Sequence, residues 1–279
     1  MDKLISIFGS SGFIGSKFCN LYSNQCVSIP KQTNITQTKD ILYFISTVDN
    51  YNVYDNPYID IETNLIKLIS VLEECKKKSK ENIVFNFVSS WFVYGKIDNP
   101  PASETTYCNP TGFYSITKYA AEKMLISYCQ TFGMNYRILR LTNIIGKNDK
   151  KVSKKKNALQ HMIQSLKEHE PISLYDNGSN IRDFMDVEDC CRAIKHCLDH
   201  SPLNSIINIS NNEPKSIGEI IDYVKRKTNS QSNIIHIPAP DFHKIVQIKD
   251  MWLNNKKLLS YGYIPQINVF EAIDHILDS

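Results

Sequence analysis

The chain has 279 residues, of which 42% are hydrophobic and 22% are charged, a composition typical of folded globular proteins rather than disordered or fibrous ones. No apolar run reaches the roughly 18 residues of a membrane span, and glycines near the N-terminus interrupt the apolar stretch that a signal peptide requires. Eight cysteines without a C-x-x-C pair predict reduced, mostly buried thiols. We therefore expect a cytoplasmic protein without a membrane partner.

The net charge of +3 has a local origin. Six lysines lie between Lys147 and Lys156, and they account for the basic excess. Such a run predicts either a solvated loop or an electrostatic lip for an anionic ligand. Because no aromatic residues interleave the lysines, nucleic acid is not an expected partner.

Short β-type runs alternate with longer amphipathic stretches, which predicts an α/β fold with a parallel sheet. In chain order the predicted elements are strand 4–8, helix 12–22, strands 26–29 and 41–46, helix 60–76, strand 83–89, helix 112–132, strand 136–141, helix 157–168, strand 172–175, helix 187–199, strand 206–209 and helices 217–227 and 270–277. A complete half of a doubly wound sheet needs alternating strands and helices between the first helix and the strand at 41, and too few residues lie there to form them. We predict a Rossmann-type doubly wound sheet that is shortened in its first half.

The domain organisation follows from the same alternation. Residues 1–147 form the predicted dinucleotide-binding domain, and residues 148–279 form a small α/β part that mainly binds substrate. Some segments of this second part are expected to return to the sheet of the first.

A glycine-rich turn joins the first predicted strand to the first helix. It consists of Gly9, Ser10, Ser11, Gly12, Phe13, Ile14 and Gly15. Glycine permits a tight turn and a close approach of backbone to a pyrophosphate, whose charge is then met by free N–H groups at the helix N-terminus. The turn therefore predicts a dinucleotide site.

The end of the second predicted strand bears on which dinucleotide binds. NAD sites usually carry an acidic residue there for the ribose hydroxyls, but residues 27–32 include no carboxylate. Lys31, Ser10 and Ser11 are suited to a 2′-phosphate instead. NADP is therefore favoured, with NAD as the alternative.

Tyr114 and Lys118 have the i, i+4 spacing that places two side chains on one helix face. A nearby ammonium lowers the pKa of a phenol toward neutrality, which suits a proton-transfer residue. Ser89 and Ser90 end the strand before this helix, at the carboxyl edge where α/β proteins bind ligands. Ser90, Tyr114 and Lys118 are therefore the predicted catalytic residues.

These motifs resemble, in the same order along the chain, those of the extended short-chain dehydrogenase/reductases, the epimerase/dehydratase group that acts on nucleotide sugars. The matching parts are residues 9–15, Asn64, residues 89–95, Tyr114 with Lys118, and residues 140–146, 178–184 and 260–265. The resemblance implies an NAD(P)-dependent enzyme for a nucleotide diphosphate sugar. It also implies a homodimer formed through helices 60–76 and 112–132.

The resemblance assigns further site residues. Leu141 and Thr142, together with Tyr114 and Lys118, are expected to contact the cofactor. The expected substrate contacts are Ser90, Asn143, Arg182 and either Trp91 or Phe92, with His243 and Lys244 in place of a second phosphate-binding arginine. No metal site is predicted, because Cys190 and Cys197 share an apolar helix face, and His196 and His200 are expected to be exposed.

Three reactions are open to such an enzyme. A dehydratase of this group carries an acid/base pair directly after the catalytic hydroxyl, where this chain has Trp91 and Phe92. An epimerase must hold its cofactor tightly, and the shortened first half removes adenosine contacts. We expect reduction of a 4-keto-6-deoxy sugar nucleotide. The alternatives are a nucleotide-sugar 4-epimerase and a non-catalytic dinucleotide-binding sensor or scaffold.

Overall fold

The computed structural model describes residues 3–48, 50–78, 82–149, 152–153, 156–246 and 248–278. Its strands are, in chain order, β1 (Ile5–Phe8), β2 (Cys26–Ile29), β3 (Asp40–Tyr43), β4 (Val84–Ser90), β5 (Asn135–Leu141), β6 (Asn143–Ile145), β7 (Ile172–Tyr175), β8 (Ile181–Arg182), β9 (Phe184–Asp186), β10 (Ser205–Ile209), β11 (Lys215–Ser216) and β12 (Ile234–Ile237). Its α-helices are α1 (Phe13–Leu21), α2 (Asn52–Asp55), α3 (Tyr58–Ile61), α4 (Lys67–Lys76), α5 (Phe113–Phe132), α6 (Ala158–Lys167), α7 (Val187–His200), α8 (Ile217–Lys227), α9 (Asp241–Val246), α10 (Lys256–Ser260) and α11 (Val269–Leu277).

A six-stranded parallel sheet forms the centre of the molecule. Its strand order is β10-β5-β4-β3-β1-β2, and every neighbouring pair is parallel. The reversal of strand order beside β1 creates a crevice at the carboxyl edge, where doubly wound sheets bind ligands. The predicted Rossmann-type α/β fold is confirmed.

The first half of the sheet is shortened, as the sequence predicts. Residues 30–39, which join β2 to β3, are all described and contain no helix. β2 is therefore an edge strand, where a complete doubly wound sheet continues by one more strand. This end of the molecule offers less surface to an adenosine group.

Helices cover both faces of the sheet. α1 and α7 pack on one face, and α4 and α5 pack on the other. Because successive side chains of a strand point to opposite faces, Ile7 joins the first cluster and Phe8 joins the second. A third apolar cluster, built from α6, α8, α11 and β7, forms the core of the C-terminal part. β10 belongs to this later part of the chain and pairs with β5.

Several predicted elements match closely and others do not. The strands at 26–29 and 172–175 and the helix at 217–227 have the predicted bounds. The helix predicted at 60–76 begins earlier, at Tyr58, and contains a π-helical turn over Glu62–Ile66. The sequence analysis missed β6, β8, β9, β11 and β12; the first four have only two or three residues each and carry no alternating pattern.

The cysteine prediction agrees with the structure. All eight cysteines are free, and six of them are buried. Cys190 and Cys197 lie in the core as expected, and no group of metal-binding side chains occurs in the described residues. His196 was predicted to be exposed but is partly buried, because its Nε2 lies 2.7 Å from the carbonyl oxygen of Tyr261.

Four lysines of the 147–156 run lie outside the described residues, so the electrostatic lip for an anionic ligand stays a prediction. None of the described helices is both long and apolar enough to cross a membrane.

A buried ion pair joins α5 to β5. The Arg140 guanidinium donates from Nε and Nη2 to the two carboxylate oxygens of Glu122, at 3.1 and 2.6 Å. Both side chains are almost fully buried, at 3% and 1% exposure, and the guanidinium also lies 4.6 Å from the centre of the Tyr94 ring. This two-point contact fixes α5 on the sheet.

Glu122→Gln should lower the free energy of unfolding by about 3 to 5 kcal/mol, because it leaves the Arg140 charge buried without its carboxylate. Glu74→Gln is the matched control, since Glu74 pairs with the exposed Lys77 at the surface and should contribute about 1 kcal/mol or less. Denaturant titration measures both. Equal losses in the two variants would contradict a special role for the buried pair.

Candidate active site

A cleft of about 1330 Å³ opens at the carboxyl edge of the sheet. It runs from the glycine turn after β1, past the ends of β3, β4 and β5, to residues of β7 and β12 in the C-terminal part. Residues of both the N-terminal and the C-terminal part of the chain therefore line the cleft. It brings together most of the residues that the sequence analysis selected.

The glycine turn forms one end of the cleft. Gly9 has a φ of +83°, which favours glycine, and its carbonyl accepts a hydrogen bond from the Gly12 amide at 3.0 Å. A Cβ atom on Gly15 would lie 2.2 Å from the Gly9 oxygen. Glycine at position 15 therefore lets α1 begin close against the turn, and the N-terminus of α1, open to the cleft, fits a dinucleotide pyrophosphate. Gly9, Ser11, Gly12, Phe13, Ile14 and Gly15 all line the cleft.

Ser10 and Lys31 are described but do not line the cleft, and their predicted contacts with the cofactor stay predictions. Lys31 is exposed just beyond β2, and its carbonyl oxygen accepts a hydrogen bond from Lys67 Nζ at 3.1 Å. The exposure of Lys31 follows from the edge location of β2, which leaves its end open to solvent.

β4 ends at the predicted catalytic serine. Ser90 pairs in register with Leu141 of β5, and its Oγ accepts a hydrogen bond from the Phe92 amide at 3.3 Å. The next two side chains stack, with the Trp91 and Phe92 rings 3.9 Å apart. Phe92 also meets the Tyr114 ring edge-on at 5.8 Å. The wall beside the predicted catalytic residues is therefore aromatic.

Tyr114 and Lys118 lie in the first two turns of α5 and both line the cleft. They are buried, with 5% and 2% of their surface exposed. The Lys118 ammonium lies 4.2 Å from the centre of the Phe87 ring. The helix begins beside the carboxyl edge of β4, so Ser90 and Tyr114 face each other across the cleft, as the sequence predicts.

The pKa of Tyr114 differs from expectation. Burial raises the pKa of the phenol, the nearby hydroxyls of Ser90 and Ser46 oppose that rise, and the Asp60 carboxylate adds to it. The sequence analysis expected Lys118 to lower this pKa. That expectation was wrong in direction, because it left out desolvation, which disfavours a phenolate.

Burial also changes Lys118. It lowers the pKa of the ammonium to about 7, and the nearby Glu122 carboxylate opposes this. The neutral form of Lys118 is therefore more accessible than that of an exposed lysine.

The residues after β5 form the floor of the cleft. Thr142 Oγ1 and Asn143 Nδ2 both donate to the Asp183 carbonyl oxygen at 2.9 Å. The Oδ1 of Asn143 accepts a hydrogen bond from the Trp91 indole at 3.2 Å. Leu141, Thr142 and Asn143 all line the cleft, as the resemblance implies.

Arg182 lines the cleft, but its guanidinium is largely occupied. It donates to the backbone carbonyls of Ile248 and Lys249, and it lies 5.5 Å from the Trp91 ring. Burial lowers its pKa to about 10, and Asp250 opposes this. Arg182 is therefore a fixed positive charge in the cleft wall rather than a free side chain.

His243 lines the same cleft from α9. Its Nε2 contacts the Tyr51 hydroxyl, and its ring meets Tyr175 edge-on at 5.0 Å. Only 7% of the residue is exposed, and Nδ1 has no hydrogen-bond partner among the described residues. Burial lowers the pKa of the imidazole. The predicted role of Lys244 cannot be placed, since its side chain lies outside the described part.

The sequence analysis missed a polar group at the end of β3. Ser46 and Thr47 line the cleft, and both hydrogen-bond to Asn64 on the π-helical turn. Asn64 was expected near the site only from the resemblance. Ser46 and Thr47 could have been found from the sequence, because they are polar residues at the carboxyl end of the predicted strand 41–46. Ser90 was found at the same edge of the sheet.

Comparison with known proteins agrees with this geometry. The model of the NAD dependent epimerase/dehydratase family matches residues 23–210. A putative UDP-glucose 4-epimerase of Methanocaldococcus jannaschii is 26% identical over 250 residues, covering 90% of this chain and 79% of that protein. The GDP-6-deoxy-D-mannose reductase of Pseudomonas aeruginosa is 24% identical over 229 residues, covering 80% and 74%. Epimerases and reductases are thus both among the relatives.

Solved structures share the fold. A UDP-glucose 4-epimerase of Thermotoga maritima with UDP-glucose has a TM-score of 0.87 at 19% identity, covering 98% of this chain and 97% of that one. The structure of RMD from Pseudomonas aeruginosa complexed with NADPH has a TM-score of 0.85 at 18% identity, covering 99% and 98%.

Lys118→Met should stabilise the protein more at pH 6 than at pH 9. The folded-state pKa of about 7 lies below the ordinary value of 10.5, so between these values the unfolded chain binds the extra proton. Stability therefore rises with pH over this window, and the destabilisation by Lys118 is fully present below it.

Unfolding titrations of the wild type and Lys118→Met at several pH values measure this difference. Lys123→Met, at an exposed lysine of the same helix, is the control and should not change the pH dependence. A Lys118→Met effect that is equal at both pH values would contradict the prediction.

Proposed function

Because this chain belongs to the NAD dependent epimerase/dehydratase family, we propose that it is an NAD(P)-dependent oxidoreductase that reduces the keto group of a 4-keto-6-deoxy sugar nucleotide. The proposal depends mainly on one observation: residues 30–39 contain no helix and β2 is an edge strand, so the end of the cleft that would take the adenosine group is open. A reductase must release its spent cofactor in every cycle, whereas an epimerase retains it, and an open adenosine site suits release.

The proposed roles follow from the positions in the cleft. The cofactor, held by residues 9–15, supplies or accepts a hydride at its nicotinamide when bound. Ser90 orients the sugar oxygen by a hydrogen bond. Tyr114 donates its proton to that oxygen, and Lys118, one turn further along α5, holds the ribose and supports reprotonation of the phenol.

The aromatic wall supports a deoxy sugar and argues against dehydration. Expulsion of the C6 oxygen needs an acid and a base beside the catalytic hydroxyl, and Trp91 and Phe92 cannot transfer protons. Their stacked faces are instead suited to an apolar methyl group and to the C–H face of a sugar ring. A charged uronate would be disfavoured next to them.

The cofactor we favour is NADP. The open end of β2 carries two cations and no carboxylate: Lys31 is exposed there, and Lys67 Nζ contacts its carbonyl and the Asn34 side chain at 3.1 and 2.5 Å. Cations at this place favour a 2′-phosphate. The shortened sheet also supports a cofactor that is released after each cycle, as a reductase requires.

We place the substrate diphosphate near Arg182 and His243, which both line the cleft. We also expect a homodimer in the cytoplasm. In support, α4 and α5 present a shared surface groove that includes Ile69, Met124 and Phe132.

The test of the reaction is stoichiometric. Incubation with a 4-keto-6-deoxy sugar nucleotide and NADPH should consume one NADPH per product, followed by absorbance and by chromatography. The relatives also support a second candidate, a 4-epimerase. Interconversion of C4 epimers without added cofactor, and no NADPH consumption, would establish that candidate instead. Cofactor binding with neither reaction would indicate a sensor or scaffold.

Tyr114→Phe should reduce kcat by at least about 100-fold, because general acid catalysis typically contributes that much, while dinucleotide binding measured by calorimetry stays nearly unchanged. Tyr119→Phe is the matched control, since Tyr119 is followed by Lys123 at the same spacing. A Tyr114→Phe variant with near wild-type kcat would exclude Tyr114 as the proton donor.

A further inference from the structure

A buried carboxylate lies behind the loop that follows β3. Asp60, at 0% exposure, accepts hydrogen bonds from the Thr47 hydroxyl and from Asn52 Nδ2, the latter at 3.2 Å. The reaction proposed above assigns no role to this group. A fully buried carboxylate is costly to desolvate, so its retention calls for an explanation.

A chain of hydrogen bonds connects this carboxylate to the helix turn of Tyr114. Asn64 Nδ2 donates to Thr47 Oγ1 at 2.8 Å and to Thr117 Oγ1 at 3.0 Å. Thr117 Oγ1 in turn donates to the Tyr114 carbonyl at 3.0 Å. The first turn of α5 is thus held by the network that Asp60 anchors.

The same network positions a hydroxyl beside the phenol. Ser46 Oγ donates to the Thr47 carbonyl or to Asn64 Oδ1, at 2.6 and 3.1 Å, and it faces Tyr114 across the cleft. The contact between this hydroxyl and the Tyr114 phenol lowers the pKa of the phenol, so Ser46 acts against the Asp60 charge.

The charges around Tyr114 come from several elements. Asp60 acts from α3, and its negative charge disfavours a second negative charge on the phenol. The other titratable groups in or next to this part of the cleft are Lys118 and Glu122 on α5, Arg140 on β5, Arg182 on β8 and His243 on α9. Arg140 is neutralised by Glu122, and Arg182 is turned toward backbone carbonyls.

We propose that Asp60 is a positioning residue for Tyr114: through Thr47 and Asn64 it holds the first turn of α5, which carries the phenol, and its negative charge favours the protonated, proton-donating form. This inference deepens the proposed function, since a protonated Tyr114 is the form that a reductase needs. Asp60 itself touches neither the sugar nor the cofactor in this assignment.

The direct test is the ionisation of Tyr114 in the full-length protein. The chain has 15 tyrosines, so incorporation of 3-fluorotyrosine gives resolved fluorine NMR signals and lowers the phenol pKa into a range where the protein stays folded. The signal missing in Tyr114→Phe identifies the residue. In Asp60→Asn we expect the titration midpoint of this signal to fall by about half a pH unit or more.

Three further variants separate the effect of the Asp60 charge from effects on folding. Asp222→Asn removes an equal charge from an exposed position on α8 and should leave the midpoint in place. Thr47→Val breaks the network but keeps the carboxylate, so it should lower kcat without lowering the midpoint. Asp60→Ser provides a second neutral variant in case Asp60→Asn does not fold.

The kinetic readout is independent of the NMR titration. In the reductase assay, the alkaline limb of kcat/KM should move to lower pH in Asp60→Asn and stay in place in Asp222→Asn. A midpoint that is equal in the wild type, Asp60→Asn and Asp60→Ser would overturn the inference. Because the titration needs no substrate, absence of NADPH consumption would count against the proposed reaction and not against the role of Asp60.

Discussion

The geometry of the cleft depends on the buried ion pair between Arg140 and Glu122. Arg140 lies opposite Ser89 in the β4 and β5 register, so the residue that anchors α5 lies next to Ser90, the predicted catalytic serine. Glu122 follows Lys118 by one helical turn and Tyr114 by two. A bidentate contact at this point therefore sets both the height and the rotation of α5 relative to Ser90. Proton transfer over hydrogen-bond distance requires that precision.

The features predicted well from the sequence are those that one short segment determines. The glycine turn needs only three glycines between a strand and a helix, and its backbone conformation follows from steric exclusion at Gly9 and Gly15. The strand 83–89 and the helix 112–132 carry long apolar patterns, so their ends were located within a residue or so. Their order along the chain then placed Ser90 and Tyr114 at one edge.

The features predicted poorly depend on contacts between distant segments. The hydrogen bonds of Arg182 are of this kind, because residues 248 and 249, distant in sequence, supply the carbonyls that hold its guanidinium. The predicted contacts of Arg182 with a phosphate and of Lys31 with the cofactor stay predictions. The pKa of Tyr114 was expected to fall because only its helix neighbour was considered. Desolvation by the assembled cleft cannot be read from i, i+4 spacing.

The protonation states of Tyr114 and Lys118 form one electrostatic arrangement. Burial disfavours the charged form of both groups, so it raises the pKa of the phenol and lowers that of the ammonium. At neutral pH the phenol keeps its proton, while burial makes the lysine give up its own proton more readily than an exposed lysine does. In the proposed reaction Tyr114 gives its proton to a substrate oxygen, and such a neighbour can restore it. Asp60 strengthens this bias by disfavouring the phenolate, whereas Glu122 keeps Lys118 from losing its proton altogether. Burial of Tyr114 thus keeps the phenol in the form that can donate a proton, as the proposed reduction of a ketone requires.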